Sequence, residues 1–434
     1  MGMDGLLTAG VVMVLACAYM AHKGFRGRVH TVGVDLGTTF SVVGVNLDNQ
    51  VRIVADKQGR HIFPSVVSYL PDGGVVAAHD AVLRLGSHPL DTIYNSKRFI
   101  GRSLEDEGVL EYASAHPFAV RSVGADVSAY GQMGFQLPPR ANGQPGALLS
   151  PEGVGADVLR HLLRVTADYL GYSQVTRAVI AVPAKFNAAQ RAATGAAFAA
   201  AGLKVARVLE EPTAAAVAYQ LHKKRDVQHI LVYDFGGGTL DVSILHVHSG
   251  SVEVYATDGD DSLGGGDFDL ALARHLQAEV EAAAGRALLP AATTVAEAGL
   301  GEGEDAQLCS WPRLRLAAEE AKRALSSAPS ATVRCSMGSL GVQTGAAGSI
   351  AVVVSRARFE AVVGPLLARS LLPVTRLLGE LGMQREEIDE VVLVGGSTRL
   401  PQVKAALRAF FGKELNDHID PDITVAYGAA SIVD

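Results

Sequence analysis

Two stretches of the chain carry the same pattern of apolar and polar positions. Residues 32–45 read VGVDLGTTFSVVGV and residues 231–245 read LVYDFGGGTLDVSIL. Each is a β-rich run that ends in an acid, Asp35 or Asp234, passes through a Gly/Thr turn and continues as a second β-rich run. The pattern predicts two hairpins with a carboxylate at the tip of each first strand. Read as DLGTT against DFGGGT, the turns differ by one residue. Repetition of this unit predicts an internally duplicated α/β architecture with a cleft between the halves.

Helical spacing of apolar residues fills the intervals. It predicts helices over 155–170, over 190–201 with a stop at Gly202, over 213–221 opened by Glu211-Pro212, over 267–284, over 313–326 and over 359–381. Strand runs fall at 176–182 and 388–394, and a weaker pair lies within 333–356. Two stretches rich in Gly, Ala and Pro, 122–150 and 290–312, read as exposed and irregular, the second as an acidic loop insertion.

At the N-terminus, residues 5–21 are apolar without a charge, at the lower limit for a membrane span. Ala16-Cys17-Ala18 offers a cleavage site for a signal peptide. The basic residues Lys23, Arg26 and Arg28 follow the run instead of preceding it. An uncleaved anchor would therefore favour a cytoplasmic C-terminal part, and a cleaved signal a lumenal one. Composition narrows the rest. The 434 residues suffice for about three domain-sized units. A net charge of −7 argues against a nucleic-acid binder, which needs a positive surface. Three cysteines, with no CxxC and no His/Cys cluster, give no disulfide framework and no structural zinc site.

The chemistry concentrates in the Gly-rich turns. Phosphates need many backbone N–H donors close together with no side chains in the way, and glycine supplies both. An acid at each strand tip can hold Mg²⁺ through water. A third turn, Gly395-Gly396-Ser397-Thr398-Arg399, follows the strand run EVVLV and precedes a helix starting near Pro401. Its glycine pair lets a flat base lie against backbone, and Arg399 can stack on that base. Taken singly, each loop is an ordinary tight turn. Taken in this order and spacing, the three describe an actin-like ATPase fold, with two duplicated lobes around a nucleotide cleft.

These loops, with TIYNSKRFIGR, AVIAVPAKFNAAQRAAT, ARVLEEPTAAAVAYQL, DSLGGGDFDL, AAEEAKRALSS, EVVLVGGSTRLPQV and DPDITVAYGAA, resemble the ATPase domain of the 70-kDa heat-shock chaperones. The matching segments run from residue 31 to 431. Within that family, the pattern is that of a lone ATPase domain behind an apolar leader. The resemblance implies a leader or anchor over 1–28, lobe I over 29–224, and lobe II over 225–400 with an outer part at about 264–358. The chain then returns to lobe I over 401–434. Lys97 matches the catalytic lysine, which would orient the attacking water and neutralise charge on the γ-phosphate. Asp35 and Asp234 would hold Mg²⁺ through water, and Glu211 and Asp241 match acids that position the metal shell. Thr239 matches the hydroxyl near the γ-phosphate. Gly37, Thr38, Thr39 and Phe40 form the first phosphate loop, and Gly236, Gly237 and Gly238 the second. Glu319, Lys322, Arg323 and Ser326, three or four apart on one helix, match the adenosine contacts. Gly395, Gly396, Ser397 and Arg399 complete the base site, with Asp422 lining the pocket. Pro183 matches a proline at the inter-lobe switch. The implied ligands are ATP or ADP with Mg²⁺, and K⁺ as a further ion. The implied partners are chaperones, co-chaperones or exchange factors. The implied location is the endoplasmic reticulum or secretory pathway, with membrane contact only through the N-terminal segment.

Two departures stand out. Gly266 replaces the acid of the family's LGGEDFD, and the 290–312 insertion lies where exchange partners bind. The family's linker and peptide-binding domain would follow VAYGAA, whereas this sequence stops at Asp434, so client clamping is expected to be absent. The function expected is Mg²⁺-dependent ATP binding with slow hydrolysis by direct attack of water. Lobe closure would then report nucleotide state to a protein partner. The rival readings are a non-catalytic nucleotide-sensing scaffold and a metabolite kinase of the same superfold; the NSKR, EEPTAAA and EEAKRALSS motifs argue against the kinase.

Overall fold

The computed structural model describes residues 3–22, 30–114, 116–124, 126–131, 133–139, 145–171, 175–285, 309, 311–336 and 349–433. Two sheets repeat one topology. In the first, the order is Lys204–Glu210, Val175–Val182, His30–Leu36, Phe40–Leu47, Gln50–Ile53. In the second it is Glu390–Val394, His229–Phe235, Leu240–His248, Ser251–Asp260. Each hairpin is antiparallel, and each acid-bearing strand pairs in parallel on its other side. Asp35 lies against Ala181 and Asp234 against Val394. The register corrects the comparison of the two turns. Leu36 pairs with Ser41 and Phe235 with Leu240, so residues 37–40 and 236–239 are turns of equal length. The count of glycines misleads because the strand ladder, not the glycine content, fixes where a turn begins and ends. Asp241 consequently sits directly across from Asp234, where the first hairpin places Val42 across from Asp35.

Parallel neighbours need crossover connections, and helices supply them. Pro151–Leu170 starts at Ser150, whose Oγ accepts from the Gly153 amide at 3.0 Å. Ala188–Ala200 starts at Asn187, in a reciprocal capping box with Gln190. These helices pack with Val34, Val43, Ile180 and Phe198 in the core of the first lobe. The core of the second lobe gathers Tyr233, Phe235, Phe268, Leu276, Leu314, Leu393 and Phe411. A third cluster, with Ala214, Ala215, Val232, Val392 and Val425, joins the inner faces. Here small residues let backbones touch. A Cβ on Gly428, in helix Thr424–Ser431, would lie 1.9 Å from the Ala214 carbonyl oxygen, in helix Glu211–Ala218. The chain stays with the second core through helix Pro401–Phe411, whose apolar stripe Val403, Leu407 and Phe411 is buried there. It joins the first sheet only at Thr424–Ser431.

Several sequence expectations change. The 122–150 stretch contains strands Met133–Gln136 and Leu148–Leu149, and Met133 and Phe135 are fully buried. Phe135 packs edge-on against Phe99 and Phe118, with ring centroids 5.4 and 5.5 Å away. The Gly- and Pro-rich flanks conceal this short apolar run. The predicted 359–381 helix is two helices, Arg356–Ser370 and Leu372–Leu381, with Pro373 in the first turn of the second. Together they are long and apolar enough to cross a membrane, but Phe359, Val363, Val374 and Leu377 are buried in the second core. The helix at Glu211–Ala218 ends three residues earlier than expected. The weak strand pair is a two-stranded sheet, Ser330–Ser336 with Ser349–Ser355. Most of the 290–312 insertion lies outside the described residues; Trp311 already opens helix Trp311–Leu325. Cys309 is disulfide-bonded, a bridge that cysteine spacing could not announce because tertiary geometry decides such pairing. The apolar N-terminal run is helix Met3–His22, 20 residues long, or about 30 Å at 1.5 Å per residue, the hydrocarbon thickness of a bilayer.

Candidate nucleotide site

The strand tips of the two sheets face each other across the cleft, and the predicted acids converge there. Lys97 enters from a short 3₁₀ turn, Ser96–Arg98, and donates to Glu211 Oε1 at 2.6 Å, with both side chains nearly buried. Glu211 is the first residue of its helix. Asp35 and Asp234 are close enough to feel the same lysine. The Asp35 carboxyl is raised to about 7, chiefly by burial, with Lys97 opposing the rise and Glu211 and Asp422 adding to it. Burial lifts Asp234 well above the usual carboxylate range, and Glu211, Asp241 and Asp35 add to the lift against Lys97. Burial alone would lower the Lys97 ammonium, but Glu211 and Asp35 outweigh it and raise the net value. Four carboxylates thus share the interior with Lys97, and Lys185 reaches Asp241 from the rim at 2.8 Å. The hole is anionic by construction.

The Gly-rich turns close around it. A Cβ on Gly237 would lie 2.8 Å from Thr39 Oγ1, so the two Gly-rich turns touch across the cleft. Gly264 packs on Gly238 so closely that a Cβ there would sit 2.4 Å from the Gly238 amide nitrogen. The Gly236 amide donates to the Thr239 carbonyl at 2.9 Å, closing the second loop. Thr38 and Phe40 lie in the first loop, where Ser65 donates to the Gly37 carbonyl at 2.8 Å.

The residues expected on the base side come from three segments. Gly395 has φ +80°, and a Cβ there would meet the Phe235 carbonyl and Asp234 Oδ1 within 2.8 Å, so this turn is pressed against the second acid. Ser397 donates to the Gly236 carbonyl at 2.8 Å, tying the third turn to the second loop. Gly396 faces Asp422. Arg399 donates to Asp422 at 2.9 Å and also pairs with Asp420, so its guanidinium is held by acids of the following loop. Lys322 turns inward to Asp269 at 2.9 Å and to the Gly265 carbonyl at 3.0 Å. Glu319 and Arg323 pair with each other on the open side at 2.6 Å, and Ser326 caps back onto the Lys322 carbonyl.

Sequence reasoning missed three residues. Arg98 donates to the Gly238 carbonyl at 2.9 Å and lies 4.2 Å over the Tyr112 ring. Lys185 bridges to Asp241 and Asp261. Asp269 is the partner of Lys322. Arg98 follows Lys97 directly and Lys185 lies two residues after Pro183, so proximity to a motif was their only signal.

The Hsp70 protein family model matches residues 31–434. The chain is 38% identical over 430 residues to heat shock 70 kDa protein BIP3 of rice, Oryza sativa subsp. japonica. The match covers 99% of this chain and 60% of that protein, so the chain spans less than two thirds of the relative's length. The duplicated sheets, the paired acid-tipped turns and this extended match agree: the chain belongs to the Hsp70 family and carries its actin-like ATPase fold.

Proposed function

We propose that the chain binds ATP between its lobes, with Mg²⁺, and hydrolyses it slowly by direct attack of water. The single observation that carries this reading is the buried acid cluster Asp35, Glu211, Asp234 and Asp241 around Lys97, walled by two Gly-rich turns. Its donor chemistry fits a hydrated Mg²⁺. Among the described residues no group of three or more His, Cys, Asp and Glu is arranged to ligate an ion directly, and Mg²⁺ usually keeps several waters while touching one or two carboxylates. Asp35 and Asp234 would hold that hydrated ion, which when bound would neutralise phosphate charge. Lys97 would orient the water, and Glu211 holds the Lys97 ammonium in place. The Gly37–Phe40 and Gly236–Thr239 turns would offer amides to the phosphates. Lys322, Ser397, Gly395 and Gly396 would receive the nucleoside. Closing and opening of the lobes would carry nucleotide state to a protein partner.

The proposed location is the secretory pathway, with the domain lumenal. A disulfide at Cys309 supports an oxidising compartment, and the 20-residue helix Met3–His22 suits a signal or anchor. A glycosylation sequon placed within 290–312 should be modified in cells if the domain is lumenal.

The test of activity is single-turnover hydrolysis of bound ATP by the full chain, wild type against Lys97→Ala, with Mg²⁺ and without sugar or peptide. Hydrolysis in the wild type, lost in the variant, supports the ATPase reading. ATP bound but intact in both would make the domain a nucleotide-sensing scaffold.

A further inference from the structure

We propose that Lys185 is a positioning residue that latches the two lobes across the mouth of the cleft, its ammonium held between Asp241 and Asp261. This rests on the nucleotide reading above and adds a control on release. Lys185 lies in the loop between strand Val175–Val182 and helix Ala188–Ala200, on the first lobe. Both of its acidic partners belong to the second. Asp241 is on strand Leu240–His248, and Asp261 follows strand Ser251–Asp260. Lys185 Nζ lies 2.8 Å from Asp241 Oδ1 and is also bonded to Asp261. The lysine and Asp241 are about a third and a fifth exposed, while Asp261 is 65% exposed. The bridge therefore runs from the buried acid cluster out to the rim. Burial raises the Asp241 carboxyl and Lys185 opposes that rise.

The position gives the bridge its consequence. Asp241 faces Asp234 across the hairpin, so a lysine anchored on the opposite lobe couples the acid cluster to lobe separation. Around the bridge, the other nearby acids already have their own cations: Asp258 pairs with Arg376 and Asp260 with Arg369. Neither arginine crosses to the first lobe; both come from the helices Arg356–Ser370 and Leu372–Leu381 of the second core. Among the described residues of this acidic rim, Lys185 is a cation that reaches its acids from the opposite lobe. Nucleotide can leave only when the lobes part, and parting them must break both of its ion pairs.

The experiment is the release rate of a fluorescent ADP analogue from the full chain, in wild type, Lys185→Met, Lys185→Arg, Asp261→Asn and the double variant Lys185→Met/Asp261→Asn. Lys185→Met and Asp261→Asn should each speed release, by roughly three- to tenfold for Lys185→Met, as expected for losing a charged hydrogen bond and a partly exposed pair. Asp261→Asn should do so less, and the double variant should match Lys185→Met instead of adding to it, because both substitutions break one bridge. Lys185→Arg should stay near wild type. Wild-type release should quicken with salt more than that of Lys185→Met, because the bridge is screened. Asp261 lies outside the acid cluster, so Asp261→Asn should hydrolyse bound ATP at the wild-type rate. Tight nucleotide binding with wild-type release in both single variants overturns the latch alone. Absence of nucleotide binding in the wild type overturns the nucleotide reading and the latch with it.

Discussion

Replacing Asp35 by Asn should stabilise the nucleotide-free protein, and should do so increasingly as pH rises. The folded-state carboxyl titrates at about 7, against 3.8 for an ordinary aspartate. A raised acid binds more protons folded than unfolded. Its contribution to stability is therefore fully present below about pH 4, is lost progressively as pH climbs to about 7, and stays lost above that. Each pH unit inside the window costs about 1.4 kcal/mol. Between pH 5 and pH 7 the wild type should lose about 3 kcal/mol through this group, a loss that Asn cannot suffer. Asp234 amplifies the contrast, because removing the Asp35 charge removes one of the causes that raise it. The assay is denaturant unfolding of the nucleotide-free full chain at pH 5 and at pH 8, wild type against Asp35→Asn. The stability difference should widen by about 3 kcal/mol in favour of Asn, while Mg²⁺-dependent ATP binding weakens in the same variant. A variant less stable than wild type at pH 8, or a gap that does not change with pH, would refute the claim that this site stores unfavourable buried charge for a cation.

Three more outcomes follow from the packing and the base pocket. Gly428→Val should lower stability by more than the about 1–3 kcal/mol typical of an overpacked site, because the new Cβ would meet the Ala214 backbone oxygen at 1.9 Å and backbone cannot step aside; a thermal melt measures it. Phe135→Ala should cost about 3–5 kcal/mol, the range for a buried aromatic that leaves a cavity, since its ring contacts Phe99 and Phe118; an unchanged denaturation midpoint would return this stretch to the surface. Lys322→Met should weaken nucleotide binding about tenfold or more, a loss of about 1.4 kcal/mol, because the partly buried Asp269 then faces the base pocket without its cation; isothermal titration with ADP measures it, and an unchanged affinity would remove Lys322 from the site.

How far the sequence could be read depends on the range over which each signal acts. The hairpins at Asp35 and Asp234, the helix stop at Gly202 and the Gly395 turn were legible because each is fixed by residues within a few positions of one another. The Met133–Gln136 strand was not, since its support comes from elsewhere in the chain: the strands Ala119–Ser122 and Leu148–Leu149 that flank it and the rings of Phe99 and Phe118 against Phe135. The same distinction divides the site. Lys97 and the four acids stood out through their motifs, and the structure brings them into one cluster. Arg399 was read from its turn as free to stack on a base, yet Asp420 and Asp422, 21 and 23 residues further along and beyond helix Pro401–Phe411, hold its guanidinium. Lys185 was passed over because no local pattern distinguishes it; it acquires a role only when strand Val175–Val182 delivers it opposite Asp241. A charge confined to one lobe can balance a buried site, but it cannot make that site respond to the other lobe. The residues that couple the halves, Arg98 to the Gly238 carbonyl and Lys185 to Asp241 and Asp261, join segments far apart in the chain. The chemistry of the cleft is therefore written in short motifs, whereas its mechanical coupling is a property of tertiary structure.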